Sequence, residues 1–147
     1  MSADERRRLG AVYDAMDLHE YRRALKLIAA QLKPGRQLSV YASQILRSLK
    51  AVAFDRTGKC AEALQLCEEI CAESVHDVSV LTTVAIVHRA QGLPERSTAM
   101  YEKALVDIGA SDAERSFEVL DALFESYLRL ENFVKAQQTS MKMFKFV

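Results

Sequence analysis

The sequence predicts an all-α fold built from about four helix pairs. Three observations carry this reading. Strong helix formers dominate the 147 residues, whereas the five glycines and two prolines sit only at punctuation. Four segments, EYRRALKLI, KCAEALQLC, LPERSTAMY and NFVKAQQTS, align on a small residue, namely Ala24, Ala63, Ser97 and Ala136, at spacings of 39, 34 and 39. Other positions recur at fixed offsets from these four, with a small or apolar residue, an aromatic three later and a turn before the aligned residue.

A 34-residue period is the length of the tetratricopeptide repeat. The 39-residue spacings read as that length with five loop residues added. The expected architecture is a tetratricopeptide-type right-handed superhelix, an α-α solenoid, spanning residues 1–147 as one helical domain. Small residues are needed at the aligned positions because two helices approach closely only where a small side chain meets a large one.

The elements follow in chain order. Repeat one is the poorest match, with Val12, Ala15, Tyr21 and Ala24; its helices are expected near 4–17 and 19–33, the second ended by Pro34-Gly35. Repeat two gives Ala51, Phe54, Gly58 and Ala63, with helices near 38–57 and 59–74. Repeat three gives Ala85, His88, Gly92, Ser97, Tyr101 and Ala104, with helices near 77–91 and 93–108. Its first helix holds VSVLTTVAIVH, a β-branched run that also suits a strand; Leu81, Val84, Ala85 and His88 share one helical face, and the repeat register decides for helix. Pro94 fits the first turn of the next helix. Repeat four gives Phe124, Tyr127, Asn132 and Ala136, with helices near 112–130 and 132–146 and a capping box from Ser111 and Glu114.

Composition excludes several function classes. Lys plus Arg equals Asp plus Glu at 20 each, so no whole-chain basic field favours nucleic acid, and no sequence-specific nucleic-acid contact is expected. The halves differ: residues 1–50 carry 10 basic and 5 acidic side chains, and residues 51–147 carry 10 and 15. An elongated molecule would have a basic and an acidic end. No 18-residue apolar run is present, so no membrane partner is expected. The opening MSADERRRLG lacks a signal peptide's apolar stretch, and three cysteines are an odd set, which suits a reducing, cytoplasmic setting.

Catalysis finds little support. The closest glycines, Gly92 and Gly109, are 17 apart, so no phosphate-binding glycine loop can be written and no cofactor is expected. His19, His76 and His88 match no metalloprotease spacing, and His88 occupies an aromatic core position. Cys60, Cys67 and Cys71 fall on one helix face with His76 five residues on, a conceivable zinc set. One helix offers ligands from one side only, and all three cysteines match core positions of the repeat, so buried, metal-free packing is the expectation. No catalytic, cofactor-binding or metal residue is assigned.

The first helices line the concave side of such solenoids. The candidate protein-binding face comprises Tyr13, Ile45, Ser48, Val52, Thr82, Ile86, Glu118, Asp121 and Glu125, with Ser79 among its neighbours. It lacks the Lys, Arg and Asn with which a chaperone-tail clamp grips a terminal carboxylate, so a helical or basic partner suits it better. Arg6, Arg7, Arg8, Arg22 and Arg23 form a candidate basic contact for RNA or an acidic partner, the alternative being a solvated terminal face. The chain ends MKMFKFV with no polar closing helix. Solenoid ends need one, so the sequence is expected to be the front piece of a longer protein, whose Met141, Phe144 and Val147 would form an edge prone to self-association.

The wording also resembles one family. RRLGAVYDAMDLHEYRRALKLIAAQLK, LKAVAFDRTGKCAEALQL, MYEKAL and MKMFKFV are similar to the start of the auxiliary subunit of the N-terminal acetyltransferase B (NatB) complex. The strongest piece is Leu49-Lys50-Ala51 with Arg56-Thr57-Gly58-Lys59 and Glu62-Ala63. Arg7-Arg8-Leu9 and Tyr13-Asp14 agree in order and position. The resemblance implies a non-catalytic helical scaffold. Its partner would be the GNAT-type catalytic subunit, which holds acetyl-CoA and acetylates nascent chains beginning Met-Asp, Met-Glu, Met-Asn or Met-Gln. The scaffold would wrap that partner and link it to ribosomes. The alternatives are a free-standing tetratricopeptide-repeat peptide- or protein-binding adaptor, and a small helical enzyme or metal protein that the glycine and histidine counts disfavour.

Overall fold

The computed structural model describes residues 2–75, 77–108 and 112–146, with residue 146 described by its backbone only. Among these residues there are eight α-helices, a closing 3₁₀ turn and no strand. They are α1 (Ala3–Asp17), α2 (Tyr21–Gln31), α3 (Val40–Arg56), α4 (Cys60–Cys71), α5 (Val78–Ala90), α6 (Pro94–Ile108), α7 (Ala113–Arg129) and α8 (Phe133–Met143), followed by Phe144–Phe146. The β-branched run is the helix α5, as the register requires.

The chain packs as two compact units, Met1–Val75 and His76–Val147. In the first, α1 pairs with α2 and α3 with α4, while α2 and α1 both pack on α3. In the second, α5 pairs with α6 and α7 with α8, and α6 packs on α7. The four aligned small residues, Ala24, Ala63, Ser97 and Ala136, are all buried, at most 2% exposed, so the register read from the sequence is the packing register. Around them lie Val12, Ile28, Ile45, Leu46 and Ile70 in the first unit, and Val80, Val84, Tyr101, Leu123 and Tyr127 in the second.

One turn geometry joins the helices of every pair. The helix ends in a residue with positive φ, namely His19 (59°), Gly58 (87°), Gly92 (72°) and Glu131 (57°). The next amide donates back to a carbonyl five residues earlier: Glu20 to Ala15 at 2.9 Å, Lys59 to Phe54 at 2.8 Å, Leu93 to His88 at 2.9 Å and Asn132 to Tyr127 at 2.8 Å. The positive-φ residue donates to the carbonyl three earlier in all four. These are four Schellman motifs, which satisfy carbonyls that the helix end would orphan. The expected fourth turn residue, Asn132, is displaced by one: Glu131 takes the left-handed position, and Asn132 caps α8 by accepting from the Lys135 amide at 3.2 Å. Asn serves there because its short carboxamide reaches an orphan amide.

Two other details differ from the sequence reading. The extra residues of the long spacings lie mainly in helix rather than loop, since α3 and α7 have 17 residues and α5 has 13. The unit boundary at Val75 also places Asp55, Glu62, Glu68, Glu69 and Glu73 with the N-terminal arginines, so the first unit carries 12 basic and 10 acidic side chains and the second 8 and 10, a smaller asymmetry of the same sign. Of the expected capping box, Ser111 lies outside the described residues; Asp112 caps α7, accepting from the Arg115 amide at 3.1 Å. At the other end of the unit Met141 and Phe144 are exposed, and Val147 lies outside the described residues. No described helix is long and apolar enough to cross a membrane.

Candidate protein-binding groove

A groove of about 330 Å3 opens in the second unit between α5 and α7, with Tyr101 of α6 in its lining. Its shape follows from which faces the helices spend on the core. On α5 Val80, Leu81, Val84, Ala85, Val87 and His88 are buried, leaving Val78, Ser79, Thr82 and Ile86 for the groove. Thr82 Oγ1 donates to the Val78 carbonyl at 2.9 Å, and Thr83 Oγ1 to the Ser79 carbonyl at 2.6 Å. The hydroxyls are thus satisfied within their own helix, as mid-helix threonines commonly are. On α7 Ser116, Val119, Leu120, Leu123, Ser126 and Tyr127 are buried, and the groove is lined by Arg115, Glu118 and Ala122 together with the buried Val119.

The rim is charged. Arg115 Nη2 donates to Ser79 Oγ at 3.4 Å across the groove, and its Nε lies 3.8 Å from Asp112. Further along, Arg89 on α5 and Glu125 on α7 form an ion pair at 3.0 Å. Glu118 is exposed and carries no ion pair among the described residues. Burial pushes the Tyr101 phenol above its ordinary range, so it is a neutral hydrogen-bonding group there.

The sequence-derived face is partly brought together. Thr82, Ile86 and Glu118 meet at this groove, with Ser79. Glu125 is held by Arg89, and Asp121 is exposed on α7 outside the lining. In the first unit Tyr13 is exposed and Val52 is half-buried. Ile45 and Ser48 need correction: both are 0% exposed and belong to the core. The reason is that α3 packs against α1, α2 and α4 at once, and the face carrying Ile45 and Ser48 is spent on that packing; Ser48 Oγ donates to the Ile45 carbonyl at 2.8 Å. Sequence reasoning missed Arg115, Val119 and Ala122; the i, i+4 and i+7 spacing of Arg115, Val119 and Ala122 along α7 was the available signal.

The basic cluster is also weaker than its count. Arg7 and Arg8 each lie 2.6 Å from Asp4, and Arg23 lies 3.0 Å from Glu20. Arg6 and Arg22 are exposed without an ion pair among the described residues. The cysteines do not share one environment. Cys67 is buried and its thiol is pushed up to about 12 chiefly by desolvation, whereas Cys60 and Cys71 are exposed. The buried stripe of α4 runs through Ala63, Cys67 and Ile70, and Cys60 and Cys71 flank it at the helix ends. His76 lies outside the described residues. Among the described residues no three His, Cys, Asp or Glu side chains gather as a metal site would require.

A family model described as the N-terminal TPR repeats region of Psidin matches residues 6–147. The chain belongs to that family. It is 31% identical over 141 residues to the protein named N-alpha-acetyltransferase 25, NatB auxiliary subunit, of Rattus norvegicus, covering 96% of this chain, and equally so to that of Homo sapiens. It is 32% identical over 145 residues to the N-terminal acetyltransferase B complex auxiliary subunit of Arabidopsis thaliana, covering 95% of this chain. The resemblance carried by Leu49-Lys50-Ala51 and Arg56-Thr57-Gly58-Lys59 is to the same subunit. The chain spans about 14% of the length of the mammalian relatives and 13% of the plant one.

Proposed function

We propose that this chain is a non-catalytic scaffold segment that helps an auxiliary subunit hold and position the catalytic subunit of a NatB-type N-terminal acetyltransferase acting on nascent chains at cytoplasmic ribosomes. The observation that carries the reading is membership of the repeat family together with relatives named auxiliary subunits. The repeat register supports it, because stacked helix pairs spend their small residues on each other and leave first-helix faces for partners. The sequence has no glycine-rich loop for a cofactor pyrophosphate, which agrees with a division of labour in which the partner holds acetyl-CoA.

Affinity purification of the tagged chain, co-expressed with candidate acetyltransferase subunits, tests the proposal. A stoichiometric complex with a GNAT-type subunit, together with no acetylation of a Met-Asp or Met-Glu peptide by the chain alone, is the expected result. Saturable acetyl-CoA binding to the isolated chain by isothermal titration would overturn it. The α5–α7 groove favours one second reading, a peptide- or protein-binding adaptor independent of any acetyltransferase; a stable complex lacking an acetyltransferase would select it.

A further inference from the structure

We infer that the α5–α7 groove docks a basic, apolar-studded segment of a partner protein. This rests on the chain being a binding scaffold, and not on its partner being an acetyltransferase. The lining supplies open apolar surface from Val78, Ile86 and Ala122, and the buried Val119 and Tyr101 complete it. Val78 and Ile86 are eight residues apart on α5, so the groove runs about 12 Å along the helix. That accepts about two turns of a partner helix or about four extended residues.

Charge complementarity selects the occupant. The two arginines at the rim are each matched, Arg115 by Asp112 and Arg89 by Glu125. Three exposed carboxylates on α7, Glu114, Glu118 and Asp121, have no ion pair among the described residues. Their spacing of four and three places them along one side of the helix. Glu118 belongs to the groove and also to a neighbouring hollow with Glu114 and the half-exposed Phe117. An acidic segment or a terminal carboxylate would meet repulsion there. A segment with Lys or Arg beside apolar residues meets attraction at the rim and burial below it.

Two synthetic peptides of equal length and identical leucine spacing, one with lysines and one with glutamates at the polar positions, test the inference by fluorescence anisotropy with the full chain. The lysine peptide is expected to bind roughly tenfold or more tightly than the glutamate peptide at low salt, with the gap shrinking as salt rises. Glu118→Lys is expected to weaken the lysine peptide roughly tenfold, and Ile86→Ser to weaken it at both salt levels, while Glu62→Lys, exposed on α4 in the other unit, leaves it unchanged. Circular dichroism melting confirms that each variant folds. Equal affinity for the two peptides, or indifference to Glu118→Lys, overturns the inference. Self-association of the chain that the lysine peptide fails to compete also overturns it, by making a second copy the occupant. Peptide failure alongside a recovered acetyltransferase complex would sink this inference alone; peptide binding without that complex would sink the proposed function alone.

Discussion

His19 and Glu131 occupy the same left-handed position, at φ 59° and 57°, in the first and fourth hairpin turns, where the second and third turns carry Gly58 and Gly92. A side chain there costs about 1–2 kcal/mol against the following carbonyl, whereas glycine does not suffer that clash. Replacing His19 or Glu131 by Gly is therefore expected to stabilise the fold by about 0.5–1 kcal/mol, after the greater backbone freedom of unfolded glycine is subtracted. Gly58→Ala is expected to destabilise by about 1 kcal/mol for the converse reason. Urea unfolding of the three variants checks this, and a loss of stability in both glycine variants would show that the two side chains support their turns.

Arg47 on α3 and Glu73, just beyond α4, form a two-pronged pair, with Nη2 donating to Oε1 at 2.9 Å and Nη1 to Oε2. Gln44 Nε2 donates to the same carboxylate at 3.3 Å. The Arg47 hydrogen bond is the main cause holding the Glu73 carboxyl below its ordinary range. A depressed carboxyl contributes stability above its unfolded value and loses it as pH falls through the folded one. Melting temperature should thus fall between neutral pH and about pH 3, and Glu73→Gln should flatten part of that fall. Because Glu73 is 40% exposed, solvent screening limits the loss at neutral pH to about 0.5–1 kcal/mol.

The three thiols should separate by reactivity. At pH 8 Cys60 and Cys71 are expected to react with a thiol reagent in the folded protein, and Cys67 only on unfolding. Because the Cys67 thiol is raised to about 12, its contribution is fully present below its unfolded value and is lost as pH rises toward 12. Stability should decline above about pH 9, less so in Cys67→Ala. Titration of thiols with and without denaturant counts them directly; three equally fast thiols would contradict the burial of Cys67.

The aligned small residues should be intolerant of size and tolerant of alanine. Ser97 is 1% exposed, and its hydroxyl has no hydrogen-bond partner among the described residues. Ser97→Ala is expected to stabilise by about 1 kcal/mol, by removing a buried polar group. Ala63→Leu should cost about 1–3 kcal/mol through overpacking, since Ala63 is fully buried. Thermal unfolding of both tests the register, and a neutral Ala63→Leu would mean that α4 does not approach its neighbour there.

The sequence by itself determined the helices and their register. Spacing fixes which residues recur on one face, so Ala24, Ala63, Ser97 and Ala136 could be placed at close approaches, and VSVLTTVAIVH could be assigned to helix against its β-branched composition. Local chemistry also announced Pro94 at a first turn and the glycine turns at Gly58 and Gly92. Tertiary structure decided how many faces each helix buries. A one-dimensional pattern assigns every first helix the same open face, yet α3 touches three other helices and loses Ile45 and Ser48 to the core, while α5 keeps Thr82 and Ile86 open. Only packing could show that Cys67 is enclosed while Cys60 and Cys71 are not, because the spacing alone puts all three on one side of α4. Only packing brings Arg115 across to Ser79, since two residues 36 apart in sequence share no local signal and meet because α6 packs on both α5 and α7.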